Sequence, residues 1–123
     1  METHRFVILR HEPGEAGPRA LHWDLMLEFS DSLRTWALES EPHPGDEVVA
    51  DELPRHRLDY LEYEGPVSQG RGAVSRIDRG TFDVLEDTTE RLAVEVHGER
   101  LQGRLQLTRD AAHQRWIARL TPT

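Results

Sequence analysis

The sequence predicts an all-β protein, a small single-domain antiparallel β-barrel with long loops and little helix. Three observations carry that expectation. Residues 21–28 (LHWDLMLE) alternate apolar and polar side chains with the period of two that marks a strand. From residue 73 onward, similar stretches recur at spacings of about 8 to 15 residues with turn residues between them, as in sandwiches and barrels. No long stretch has the 3.6-residue apolar period of an amphipathic helix. A chain of 123 residues, 37% of them hydrophobic, supports one core and not two, so residues 1–123 are read as one domain.

Each element follows in order. Residues 5–10 (RFVILR) read as a strand in which Phe6 and Ile8 alternate with Val7 and Leu9, predicting burial on both faces, and the strand ends at His11. Residues 12–20 (EPGEAGPRA) hold two prolines and two glycines and form a loop. After the strand at 21–28, Ser30, Asp31 and Ser32 turn the chain, and residues 33–38 (LRTWAL) return as a hairpin partner that carries Trp36 into the core. Residues 39–55 are acidic and contain Pro42, Pro44, Gly45 and Pro54, which predicts a long irregular excursion with at most one turn of helix. Residues 56–64 (HRLDYLEYE) fit strand and helix spacing equally, and an extended or bent segment is expected. Residues 65–72 (GPVSQGRG) are a glycine-rich loop without the lysine and Ser/Thr of a phosphate-cradling loop, so these glycines serve backbone geometry. The meander then runs through 73–77, a turn at Asp78-Arg79-Gly80, 81–85, 91–96, a turn at His97-Gly98-Glu99, 101–108 and 116–120. Trp23, Leu25, Leu27, Trp36, Phe82, Val94, Leu105 and Trp116 are the expected core.

Composition narrows the function. A formal charge of −8 argues against a broad basic groove for duplex nucleic acid, yet it is compatible with a site that grips one terminal phosphate through a metal and a few arginines. With no cysteine, neither a disulfide framework nor a thiolate zinc site is available, which suits a reducing compartment. There is no apolar run of membrane-spanning length and no signal-peptide pattern at the start, so a soluble, cytoplasmic and monomeric protein is expected. His4, His43, His97 and His113 lie in polar stretches and are read as surface groups.

His22 and Asp24 project from the same face of their strand, close enough to lean toward one ion, and an imidazole with a carboxylate suits a borderline divalent metal. His11, at the end of the preceding strand, is the nearest third ligand. On spacing alone, such residues are more often structural or surface groups than metal ligands, and a metal site there would fit a cupin-like oxygenase or isomerase as well.

The order of RFVILRH, LHWDLMLE, LRTWAL, HRLDYLEYEG, a glycine-containing loop, DRGTF, GERLQGRLQLTR and a closing RWIARL resembles the 3′-phosphoesterase domain found in bacterial DNA ligase D and as stand-alone proteins. The resemblance covers nearly the whole chain. Its specific parts are the His-x-Asp strand with Glu28, the Trp36-Ala37 pair, and the block from His56 to Tyr60. It implies a small barrel that uses manganese, or zinc or another divalent cation, to remove a 3′-phosphate or 3′-terminal ribonucleotide from DNA during end repair. It makes His11, His22 and Asp24 the metal ligands, His56 the group that contacts the scissile phosphate, and Tyr60 its neighbour in the pocket, with Arg10 and Arg57 as phosphate-binding candidates. DNA or RNA–DNA 3′ ends, and separate ligase, polymerase or end-binding repair proteins, are the implied partners.

Three departures stand against the family pattern. The arginine that follows His-x-Asp is Met26 here, and an arginine and a glutamate expected before the His56 block are Val48 and Pro54. The loop between the two histidine ligands is also longer. Losing such clamps costs roughly 1.5 to 3 kcal/mol each unless other cations replace them, and Arg10, Arg55, Arg57 and Arg71 are the available arginines. The alternative function is therefore a catalytically degenerate barrel that binds metal or nucleic-acid ends within a repair assembly.

Overall fold

The computed structural model describes residues 4–15 and 19–122 of the chain, so residues 16–18 of the expected 12–20 loop lie outside the described residues. Two four-stranded antiparallel meanders account for the architecture. The first is β1 (His4–Glu12), β2 (His22–Phe29), β3 (Ser32–Leu38) and β4 (Glu47–His56). The second, preceded by the short β5 (Gly65–Pro66), is β6 (Ala73–Asp87), β7 (Arg91–Gly98), β8 (Gln102–Asp110) and β9 (Arg115–Thr121). Antiparallel seams between β1 and β6 and between β4 and β9 join the meanders into a closed barrel of eight strands. Closure removes the open edges that a sheet of this length would otherwise expose.

Strand alternation sends one set of side chains inward. Phe6, Ile8, Leu25, Leu27, Trp36, Phe82, Val94, Leu105 and Trp116 lie in one buried cluster, and Trp23 packs against it half-buried. Trp36 meets Trp116 edge-to-face, with ring centroids 5.8 Å apart. A gap of only about 10 Å³ lies among Phe6, Ile8, Leu25, Leu38 and Leu105, so these side chains are closely packed.

The outer face of β1, β2 and β3 is buried as well, as the alternation in residues 5–10 predicts. Val7, Leu9, Met26, Leu33 and Val74 form a second cluster with Leu61, and Leu58, Tyr60 and Val67 pack against it. The last four belong to the connection between the meanders, residues 57–72, which crosses the outside of the barrel and carries a 3-10 turn at Leu58–Leu61.

Three expectations are corrected. The excursion at 39–55 is a strand over Glu47–His56, with Val48 and Ala50 pointing inward. The strand accommodates Pro54, which has no N–H to give, because it sits where the β3–β4 register breaks. Asp78-Arg79-Gly80 is no turn, since β6 runs unbroken through it and only a bulge interrupts its pairing with β1, Ile8 facing Asp78 and Leu9 facing Arg76. Gly80 is there for close approach, as a Cβ would lie 2.0 Å from the His97 carbonyl oxygen. Finally, His4 is half-buried and stacks between Phe29 and Phe82 at 5.7 and 5.0 Å, whereas His43, His97 and His113 are exposed. No helix among the described residues is long and apolar enough to cross a membrane.

Candidate metal centre

The β1–β2 register pairs His11 with His22 and Leu9 with Asp24, so both imidazoles and the carboxylate emerge on the outer face within one step of each other. Nδ1 of His11 lies 2.9 Å from Oδ2 of Asp24, and Nε2 of His22 lies 3.1 Å from Oδ1. The imidazole centroids are 4.6 Å apart. One ligand atom from each residue falls within 4.8 Å of the others, the only such group of three or more found among the described residues.

The far side of each ring decides what the near side offers. Nδ1–H of His22 donates to the Ala20 carbonyl at 2.9 Å, and Nε2–H of His11 donates to the Arg71 carbonyl at 2.8 Å. The Ala20 carbonyl thereby fixes a His22 tautomer whose Nε2 carries a lone pair, while His11, with Nε2–H on the Arg71 carbonyl, donates from Nδ1 to Asp24 when protonated and offers that nitrogen's lone pair when neutral. Asp24 is 2% exposed, and its Oδ1 accepts no hydrogen bond although Nε2 of His22 is adjacent. Two lone pairs facing each other 3.1 Å apart in a buried place repel, and either a proton on His22 or a metal ion relieves the contact. The donor set therefore fits a divalent ion.

The charges in this cluster are mutually dependent. Hydrogen bonding to Asp24 raises the His11 imidazole above its ordinary value, against the burial that lowers it. Burial works to raise the Asp24 carboxyl, but hydrogen bonding from His11 and the nearness of His22 outweigh it and hold the group below the ordinary carboxylate range. A carboxylate charged at neutral pH is what a metal ligand needs.

Two glycines bring the Arg71 carbonyl to His11. Gly72 has φ +94°, and a Cβ there would lie 1.8 Å from the Glu12 carbonyl oxygen, while a Cβ on Gly14 would lie 2.0 Å from the Gly70 carbonyl oxygen. The glycine-rich loop thus serves backbone approach, as expected.

A cavity of about 100 Å³ opens beside the cluster, lined by His11, His22 and Asp24 together with Arg19, Leu53, His56 and Arg71. His56 reaches it from the end of β4, with Nδ1–H held by the Pro54 carbonyl at 2.9 Å. Tyr60 meets the His56 ring edge-to-face at 5.6 Å, but it lines a neighbouring cavity of about 320 Å³ with Arg57. Arg10 forms an ion pair with Glu12 and is absent from both linings, and Arg55 donates to Ser32. Met26 is buried in the outer cluster, Val48 lies in the inner core, and Pro54 is exposed.

Arg19 is the lining residue that sequence reasoning passed over. Its Nη1 donates to Asp51 at 2.9 Å, across the face of β3. It stands three residues before His22, but the path of the loop decides where it points, and no local pattern encodes that path. The Arg71 backbone carbonyl likewise leaves no trace in residue type.

The family model of the DNA Ligase D 3′-phosphoesterase domain matches residues 15–109. The chain is similar to the multifunctional non-homologous end joining protein LigD of Pseudomonas aeruginosa, with 32% identity over 115 residues. That alignment covers 85% of this chain and 13% of the LigD protein, so the chain corresponds to a small part of its relative. The matched segment contains His22, Asp24, His56 and Tyr60, and on these grounds the chain belongs to the DNA ligase D 3′-phosphoesterase domain family.

Proposed function

We propose that this chain is a divalent-metal-dependent phosphoesterase that processes DNA 3′ ends, removing a 3′-phosphate or a 3′-terminal ribonucleotide during end joining. The observation that carries the reading is the buried Asp24 Oδ1, which has no donor and faces the lone-pair nitrogen of His22. Family membership supplies the reaction class.

His11 Nδ1, His22 Nε2 and Asp24 hold the ion, manganese being the first choice and zinc the second. The bound ion supplies Lewis acidity toward a phosphoryl oxygen and acidifies a coordinated water. His56 stands across the same small cavity, outside the group of three. With Nδ1–H tied to Pro54, its protonated form offers Nε2–H to the phosphate or to the leaving oxygen. Arg19 and Arg71 supply the positive charge that Met26 no longer brings, and Arg71 is steadied by donating to the Ser68 carbonyl and hydroxyl at 3.0 and 3.1 Å.

The direct test is a primer–template carrying a 3′-phosphate or a 3′-ribonucleotide, incubated with manganese, zinc or chelator. Metal-dependent release of phosphate or of the terminal nucleoside is expected, and no turnover with any divalent ion removes the enzyme. In the same assay, His56→Ala should keep the metal stoichiometry while losing about a hundredfold or more in kcat. Turnover unchanged in that variant refutes the role given to His56.

One observation favours a second reading, a barrel that binds ends without cleaving them. Met26 at the family's arginine position is sealed under the crossover, packed with Leu61 and Val74. Stoichiometric metal together with end binding and no cleavage selects that reading.

A further inference from the structure

We infer that the cavity formed by the crossover residues is a seat for the unpaired terminal base of a 3′ end. The inference rests on the reading of the metal centre as a 3′-end site and assigns the part of the substrate that lies beyond the phosphate. At about 320 Å³, the cavity has the size of a small-molecule pocket.

Two pairs of residues form the wall between this cavity and the metal cavity. His56 lines the metal side and meets Tyr60 on the other side at 5.6 Å, and Arg71 lines the metal side and bonds to Ser68 on the other. A phosphate held at His56 and Arg71 therefore has its nucleoside next to Tyr60. The aromatic run continues, because Tyr63 packs against Tyr60 at 5.9 Å and 85°. Tyr63 is 38% exposed, one of three large apolar side chains exposed among the described residues. Its hydroxyl donates to the Pro66 carbonyl. Asp59 and Ser68 in the same lining offer acceptors and a donor to a base edge, and Arg57 offers a cation.

The chemistry selects an unpaired base. A ring beside a phosphate site binds a nucleobase by stacking, whatever its sequence, and a base inside a duplex has both faces already covered. A chain of formal charge −8 also has little to gain from counterion release along a duplex, so its grip on an end must be local. Stacking supplies such a grip.

The test uses the full chain and two single-stranded DNAs of equal sequence, one ending in 3′-phosphorylated deoxyadenosine and the other in a 3′-phosphorylated abasic site. Anisotropy titrations without added metal measure affinity, and phosphate release with manganese measures turnover. Wild type should bind the adenine end roughly tenfold more tightly, the size of one base–aromatic stack, and KM should move in the same ratio. Tyr63→Ala should bring that ratio to about one, while Tyr63→Phe should retain it. Equal binding of the two ends by wild type, binding of neither, or a preference that survives Tyr63→Ala overturns the seat. If phosphate is released equally from both ends, the seat fails and the phosphoesterase stands. If the adenine preference is present and depends on Tyr63 but no metal yields phosphate, the enzyme fails and the seat stands.

Discussion

Asp24 and Asp78 are both 2% exposed, yet they spend their burial in opposite ways. Asp78 accepts hydrogen bonds from the backbone N–H groups of Arg79, Arg100 and Leu101, at 2.9, 3.0 and 2.8 Å, and so ties the β7–β8 turn to β6. Asp24 has one oxygen on His11 and the other without a donor. A buried carboxylate both of whose oxygens accept hydrogen bonds is a fastener. One that keeps a lone pair aimed at other lone pairs is waiting for a positive charge.

The sharpest way to break this contrast is to neutralise each aspartate. Asp24→Asn should weaken manganese binding by at least a hundredfold in calorimetric titration and reduce 3′-end turnover on the order of a thousandfold. Its metal-free stability should change by less than about 1 kcal/mol, because the amide still accepts from His11 and the uncompensated oxygen is gone. If Asp24→Asn instead unfolds the protein, Asp24 is a fastener like Asp78. Asp78→Ala should show the reverse behaviour, losing about 3 kcal/mol in urea unfolding as three backbone donors lose a charged acceptor, with metal affinity unchanged within about twofold. A loss of metal in that variant, without a loss of stability, inverts the comparison.

Glu28 lies between the extremes and gives the smallest effect. Its carboxylate takes Nε and Nη2 of Arg5 at 2.9 and 2.7 Å as well as the Arg5 backbone N–H, and hydrogen bonding from Arg5 holds it below the ordinary glutamate value. Stability from this pair is complete above the unfolded value of about 4.3 and is lost as pH falls through the lower folded value. Arg5 is half exposed, so Glu28→Gln should cost less than about 1 kcal/mol at pH 7 and flatten the stability profile only below pH ~4.5. Urea unfolding of the variant and wild type between pH 3 and 7 measures it.

How far such groups are legible without coordinates depends on where their partners come from. His22 and Asp24 share a face by strand period, and burial on both sides of β1 follows from four apolar residues in a row. Their union with His11 needs only the next strand. By contrast, nothing near Asp78 in sequence announces Arg100 and Leu101, and the triad Asp-Arg-Gly reads as a turn because its glycine answers to the His97 carbonyl on another strand. β4 was hidden by prolines that tolerate a ladder break, and Arg19 and Tyr63 owe their positions to loop paths. Local periodicity finds faces, while contacts across seams and crossovers leave no period to find.

The crossover has a further consequence for the order in which the protein assembles. His11 and Asp24 are 13 residues apart and come together when one hairpin closes, whereas His11 and Arg71 are 60 apart and meet only once residues 57–72 have been laid over the barrel. Contacts of such large sequence separation form late relative to the closing of a local hairpin. A folding chain thus brings His11, His22 and Asp24 together early and closes the cavity beside them late. On the proposed function, an ion held by these three residues stabilises the first hairpin before the crossover is laid down, and end processing waits for the crossover.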